Sequence, residues 1–199
     1  MRVLVIPEDF RYDQYLLKPL FERLFQSIGK SRARVRVCQN PLLGGVGEAL
    51  KSERIREVLD QHDGMMDIFI LCVDRDGNRG RRTRLDRIET EFGNDRTFLA
   101  ANAWEEIETW TLAGLNLPKD WRWEDVRREV HVKERYFNVL AEERGVADDP
   151  DDGRKTLGEE AARNIPAIRR KCPEDFDALA RRLEVLLGTL RAEVPRTFL

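Results

Sequence analysis

The sequence predicts an α/β domain on a mainly parallel sheet flanked by helices, with further helices at its C-terminal end. Three observations carry this. Strand-like apolar runs alternate with helical periodicities in the order strand, helix, strand, helix, strand. The third run, "DIFILCV" (67–73), is apolar from Ile68 to Val73, as suits a strand covered on both faces in a parallel sheet. The last third of the chain reads as helices alone. With 199 residues, 41% apolar and 36% charged, the chain is long enough for a well-buried core and too apolar for disorder.

Taken in order, "RVLVI" (2–6) is a β-branched strand ended by Pro7. Leu16, Leu17, Leu20, Phe21, Leu24, Phe25 and Ile28 then mark one wide apolar helix face, stopping near Gly29. "ARVRVCQN" (33–40) alternates apolar with charged and reads as a half-exposed strand. "PLLGGVGEAL" carries Gly44, Gly45 and Gly47 but neither GK[ST] nor the GxGxxG spacing. It reads as a flexible loop rather than a nucleotide cradle, leading into a helix with Ile55, Val58 and Leu59.

After the third strand, residues 77–92 begin as a polar loop and become a charged helix. "RTFLAANA" (96–103) is a fourth strand, and "WEEIETWTLAGLNL" (104–117) a helix burying Ile107, Trp110 and Leu112. These elements define a core over 1–117. Residues 118–152 read as a variable helical insertion ending in the acidic loop "DDPDDG". Its Trp121 and Trp123 are better suited to anchoring that insertion than to stacking on bases. Residues 153–199 supply helices over about 156–171 and 174–192, the second started by Pro173 and apolar at Phe176, Leu179, Leu183, Leu186, Leu187 and Leu190.

Composition also excludes. A net charge of −2 gives no global pull toward nucleic acid or membrane, although a local basic patch is compatible with it. Cys38, Cys72 and Cys172 form no CxxC, as expected in a reducing compartment. The short apolar N-terminus and the lack of any membrane-length run predict a soluble cytoplasmic protein with no membrane partner. His62 and His131 stand alone, and no serine sits in GxSxG, so neither zinc nor covalent hydrolase chemistry has support.

The chemistry-bearing stretch is "FILCVDRDGN" (69–78). Asp-x-Asp-Gly is ordinary turn chemistry. Yet ligands bind α/β sheets at the carboxyl ends of strands, where Asp74 and Asp76 fall. Residues two apart in an extended chain face the same side, so both carboxylates can meet one cation. Glu8 follows the first strand, and neighbouring parallel strands one and three would bring it to the same rim. An oxygen-only acidic set suits Mg²⁺ or Mn²⁺ rather than zinc. Beside it lie Arg75, Arg79, Arg81, Arg82, Arg84 and Arg87. They suit phosphate contact, or alternatively a solvated helix face paired with Asp86, Glu89 and Glu91. Glu105, Glu106 and Glu108 open a helix, where the dipole alone favours acids, and only one or two of them can face the rim.

A strand-end glutamate followed by a helix, with DxD after a later strand, resembles the Toprim domain of topoisomerases, primases and OLD-type nucleases. "VDRDG" and "AWEEIETWTLA" are similar to small stand-alone Toprim-like proteins, often paired with an ABC-type ATPase in prokaryotic antiphage defence. "GRKTLGEEA" (153–161) resembles their lysine-bearing C-terminal segment. The likeness covers about 1–115 and that later piece. The family's first motif usually reads Glu-Gly, where this chain has Pro7-Glu8-Asp9.

The resemblance implies a Toprim-like sheet and a Mg²⁺- or Mn²⁺-dependent nuclease acting on DNA or RNA. Glu8, Asp74 and Asp76 would hold the metal, with Glu106 and Glu108 as further acidic site residues. Lys155 would contact phosphate beside Arg79, Arg81 and Arg82. The alternative is a non-catalytic Toprim-like subunit that docks onto an ATPase, and a homo-oligomer stays open. An aspartyl-nucleophile phosphatase would carry its DxD on the first strand rather than the third.

Overall fold

Ile68 to Val73 are all buried, and the strand they form lies inside the sheet. In a computed structural model the backbone is described for residues 1–192 and the side chains for 1–188, so Leu190 lies outside the described side chains. Strands β1 (Arg2–Pro7), β2 (Arg34–Val37), β3 (Ile68–Asp74) and β4 (Phe98–Ala103) form one sheet in the order β2-β1-β3-β4. Every pairing is parallel, with Ile6 opposite Leu71 and Pro7 opposite Cys72.

Helices cover both faces, as strand alternation demands. Val3 and Val5 pack under α1 (Phe10–Ser27) and the C-terminal helices. Leu4 and Ile6 face α3 (Ser52–Gln61), preceded by the single turn α2 (Val46–Ala49), and α4 (Arg81–Gly93). On α1, Leu16, Leu17, Leu20, Phe21, Leu24 and Phe25 are fully buried, each contributing about 2 kcal/mol relative to exposure.

The chain runs from β1 outward to β2, then crosses back over β1 to β3 and on to β4. Strand order therefore reverses between β1 and β3, the place where open α/β sheets bind ligands. At the far edge, β4 is closed to further pairing. The Ala100 N–H donates to Glu89 Oε2 at 2.9 Å, and its carbonyl accepts from Arg82 Nη1 at 2.8 Å and Arg182 Nη1 at 3.1 Å.

The helical expectations hold in kind and shift in extent. The helix expected from 104 begins at Glu108 as α5 (Glu108–Gly114), because Trp104–Ile107 form a turn in which Glu105 takes φ +66°. The 118–152 segment is helical as α6 (Trp123–Arg128), a π-turn (Lys133–Phe137) and α7 (Asn138–Glu143). Trp121 and Trp123 pack against the core.

The helix expected over 156–171 is two: α8 (Arg154–Ala161) and α9 (Ile165–Lys171), joined by a 3₁₀ turn (Ala162–Asn164). Pro166 explains the break, since it has no N–H to continue the first helix and suits the start of the second. Pro173 likewise opens a π-turn (Pro173–Asp177) that runs into α10 (Ala178–Ala192).

One close contact sets the position of α8. Pro19 lies inside α1 and cannot donate to the carbonyl four residues back, on Tyr15. Gly158 of α8 backs onto that carbonyl so tightly that a Cβ there would sit 2.6 Å from it. This contact seats α8 against α1 and brings Arg154 to the carboxyl edge.

Candidate active site at the carboxyl edge

Adjacent parallel pairing of β1 and β3 brings two acids together. Glu8 follows β1, and its Oε2 accepts from the Asp74 backbone N–H at 3.1 Å. Asp74 ends β3, and its Oδ1 accepts from the Ile107 N–H at 2.8 Å. Asp9 leaves this rim to cap α1, accepting from the Arg11 N–H at 3.0 Å. The Pro7-Glu8-Asp9 variant thus gives one acid to the rim and one to the helix start.

Asp76 arrives by a different route from the expected extended one. It takes φ +51°, so the chain turns sharply at that residue, followed by Gly77 at φ +65°. Glu105 clamps this turn from below. Its carbonyl accepts the N–H groups of Arg75 and Asp76, and its Oε2 accepts that of Gly77 at 2.6 Å. Its Oε1 pairs with Arg75 at 3.0 Å, and Arg75 lies over the Trp104 ring. Glu105 and Arg75 shape the loop rather than face the rim.

The other acids divide. Glu108 is buried and pairs with Arg154 Nη2 at 3.0 Å; Arg154 is 1% exposed and also meets Asp152. Glu106 Oε2 caps the π-turn by accepting from the Lys133 N–H at 2.6 Å. Asp13, one turn into α1, joins the cluster and had no signal of its own in the sequence. It becomes visible only once Asp9 is known to start the helix, four residues earlier.

These groups oppose one another. Glu8 is pushed up to about 7, mainly by burial, with Asp76 and Glu108 adding repulsion against the Asp74 N–H and Arg81. Burial, then Glu8, Glu108, Asp13 and Asp76, holds Asp74 well above the usual carboxylate range. Asp13 is raised in the same way, by burial and then Glu108. Burial also raises Glu106 to about 7, against the Lys133 N–H. Glu8, Asp13, Asp74, Asp76 and Glu108 face two arginines, Arg81 and Arg154.

The predicted basic residues separate. Arg81 is buried beside Asp76, with Nη2 3.4 Å from Asp76 Oδ2. Arg82 turns away to Asp86 and the Ala100 carbonyl. Arg79 is exposed. Lys155 lines an open groove of about 580 Å³ between α1 and α8, while its neighbour Arg154 is the residue that meets the acids. A sequence cannot tell adjacent helical residues apart by face until the helix start is known.

An all-oxygen, negatively overloaded donor set fits a hard divalent cation. Glu8 Oε2 and Asp74 Oδ1 are engaged by backbone N–H groups, leaving Glu8 Oε1, Asp74 Oδ2 and Asp76 Oδ1 as the available donors. Among the described residues, no group of three or more His, Cys, Asp or Glu side chains is already gathered in a metal cage. No described helix is long and apolar enough to cross a membrane. Protein-family models, curated proteins and solved structures all return no match to this chain.

Proposed function

We propose that the chain is a Mg²⁺- or Mn²⁺-dependent phosphodiesterase of the Toprim type that cleaves DNA or RNA, in keeping with a role in antiviral defence. The observation that carries this reading is the meeting of Glu8 with Asp74 at the reversal of strand order, within a cluster where acids outnumber the two arginines that face them. Glu8, Asp74 and Asp76 would hold the ion, which supplies charge neutralisation at the phosphate and an activated water. Glu8, raised to about 7 by burial, would give up its proton to hold the ion. Glu106 is raised alike but is committed to its backbone cap. Glu108 and Arg154 brace the acids from behind.

Incubation of plasmid DNA and tRNA with Mn²⁺ tests this, comparing the wild type with Glu8→Gln and Asp74→Asn. Cleavage by the wild type and its loss in both variants is expected. Equal cleavage by all three sinks the reading. The second reading, which the sequence resemblance implies, is a non-catalytic subunit docked on an ATPase partner. No cleavage by any form, with retained binding to such a partner, would select it.

A further inference from the structure

The two edges of the sheet are finished differently. Side chains close β4 at Ala100, whereas the outer side of β2 is open. The N–H groups of Arg34 and Cys38 point inward, to the Met1 carbonyl at 3.0 Å and the Val5 carbonyl at 2.8 Å. With a period of two, the N–H groups and carbonyls of Val35 and Val37 therefore point outward. Among the described residues, nothing bonds to these four groups. Paired backbone is the rule in a sheet, so this edge has room for one more strand.

A groove of about 520 Å³ follows the same edge. On the side of α1 it offers Phe10, which is apolar and half-buried, and Lys18. On the other side, the register of Leu4 with Arg36 sets Arg36 on the face that looks toward α3, beside Gln61. No acid lines the groove. Lys18, Arg32, Arg34 and Arg36 are all exposed, and none has an ion-pair partner among the described residues. Arg2, opposite Arg34 in the sheet, is by contrast paired with Asp67 at 3.0 Å.

Charge selects what can lie here. A second copy pairing edge to edge would set these arginines against their own kind, and like charges across a strand pair repel. An acidic chain meets the same arginines with the opposite sign. We propose that the outer edge of β2 docks an extended acidic segment of a partner protein, which joins the sheet as an added strand. Its backbone takes the free groups of Val35 and Val37. Its acidic side chains lie over Arg34 and Arg36, and apolar ones alternate with them to face Phe10. The groove includes none of Glu8, Asp74 and Asp76, so this docking goes beyond the phosphodiesterase reading and does not depend on it.

Fluorescence anisotropy with the full chain tests this, using a fluorescein-labelled hexapeptide that alternates glutamate with valine. Saturable binding is expected, weakened at least about tenfold in Arg36→Glu and within about twofold of wild type in Arg170→Glu. Arg170 is also exposed but lies on α9, so the second variant controls for net charge. The same peptide N-methylated along its backbone keeps its charges and loses the strand bonds, and should bind at least about tenfold more weakly. No binding by the folded wild type, equal affinity of the N-methylated peptide, or an equal loss in both variants overturns the proposal. Circular dichroism checks folding. Should Arg36→Glu not fold, the two peptides compared on the wild type still decide.

The other occupants are outcomes of the same work. A wild-type dimer in sedimentation velocity that Arg36→Glu dissociates gives this edge to a second copy and overturns the assignment. Single-stranded DNA that binds through Arg36, with no binding of the peptide, overturns it in favour of nucleic acid.

Discussion

Asp74, at the end of β3, and Asp175, in the turn that opens α10, are both acids packed into the protein, and they are treated in opposite ways. Asp175 accepts from the Trp104 N–H and from Trp110 Nε1, each at 2.7 Å, and takes two further bonds from Arg127. Arg127 also lies over the Trp104 ring. Asp74 receives one backbone N–H and otherwise faces Glu8, Glu108, Asp13 and Asp76. A buried acid supplied with its own cation is architecture. A buried acid set among other acids is stable only if something from outside, a proton or a metal ion, arrives to relieve it.

That contrast can be broken most directly through stability. Asp175→Ala leaves Arg127 with Glu174 alone and strips the acceptor from the Trp104 N–H and Trp110 Nε1, and should cost about 3–5 kcal/mol in denaturant unfolding. Asp74→Asn keeps an acceptor for the Ile107 N–H while removing repulsion, and should leave stability at neutral pH unchanged or raise it by about 1 kcal/mol. A large loss in Asp74→Asn would erase the distinction.

Next in size is the response to metal. At a free concentration about 100-fold above Kd, Mg²⁺ or Mn²⁺ should stabilise the fold by about 2.7 kcal/mol, read as a raised melting temperature. Glu8→Gln should abolish this response, and Asp175→Asn, if folded, should keep it.

The pH dependence follows from Glu8 and Glu106. Each holds its proton up to about pH 7 in the fold but only to about 4.5 in its ordinary state. Between those values the folded protein binds more protons than the unfolded chain, so their effect is to lower stability as pH rises, levelling off above 7. Glu8→Gln should remove about half of this fall and leave the share of Glu106.

Gly158→Ala comes next, at about 1–2 kcal/mol, because its Cβ would strike the Tyr15 carbonyl. It sharpens the comparison, since it should displace Arg154 and leave Glu108 short of its cation. Arg79→Ala, at an exposed position, should change stability by less than about 0.5 kcal/mol.

Much of this was legible in the sequence because it rests on local signals. Apolar runs marked all four strands, and their parallel arrangement followed from alternation with helices and from the two-sided burial of Ile68–Val73. Glu8, Asp74 and Asp76 were placed at one rim by counting strand ends. What stayed hidden depends on tertiary register. Glu105 lies between Trp104 and Glu106 with nothing to mark it as the clamp on the Asp76 turn. Arg154 and Lys155 are neighbours, and only the seating of α8 on Tyr15 decides which one reaches the acids. The Asp175 hub joins β4, α5 and α6 across more than 40 residues of chain, beyond any spacing rule.

The central claim is that the carboxyl-edge acids are held short of a cation. Calorimetric titration of Mn²⁺ above pH 7, into the wild type, Glu8→Gln and Asp74→Asn, tests it most directly. Saturable binding by the wild type, with a loss of at least about tenfold in affinity in both variants, is the predicted result. No binding by the folded wild type, or the same isotherm in all three, would contradict it.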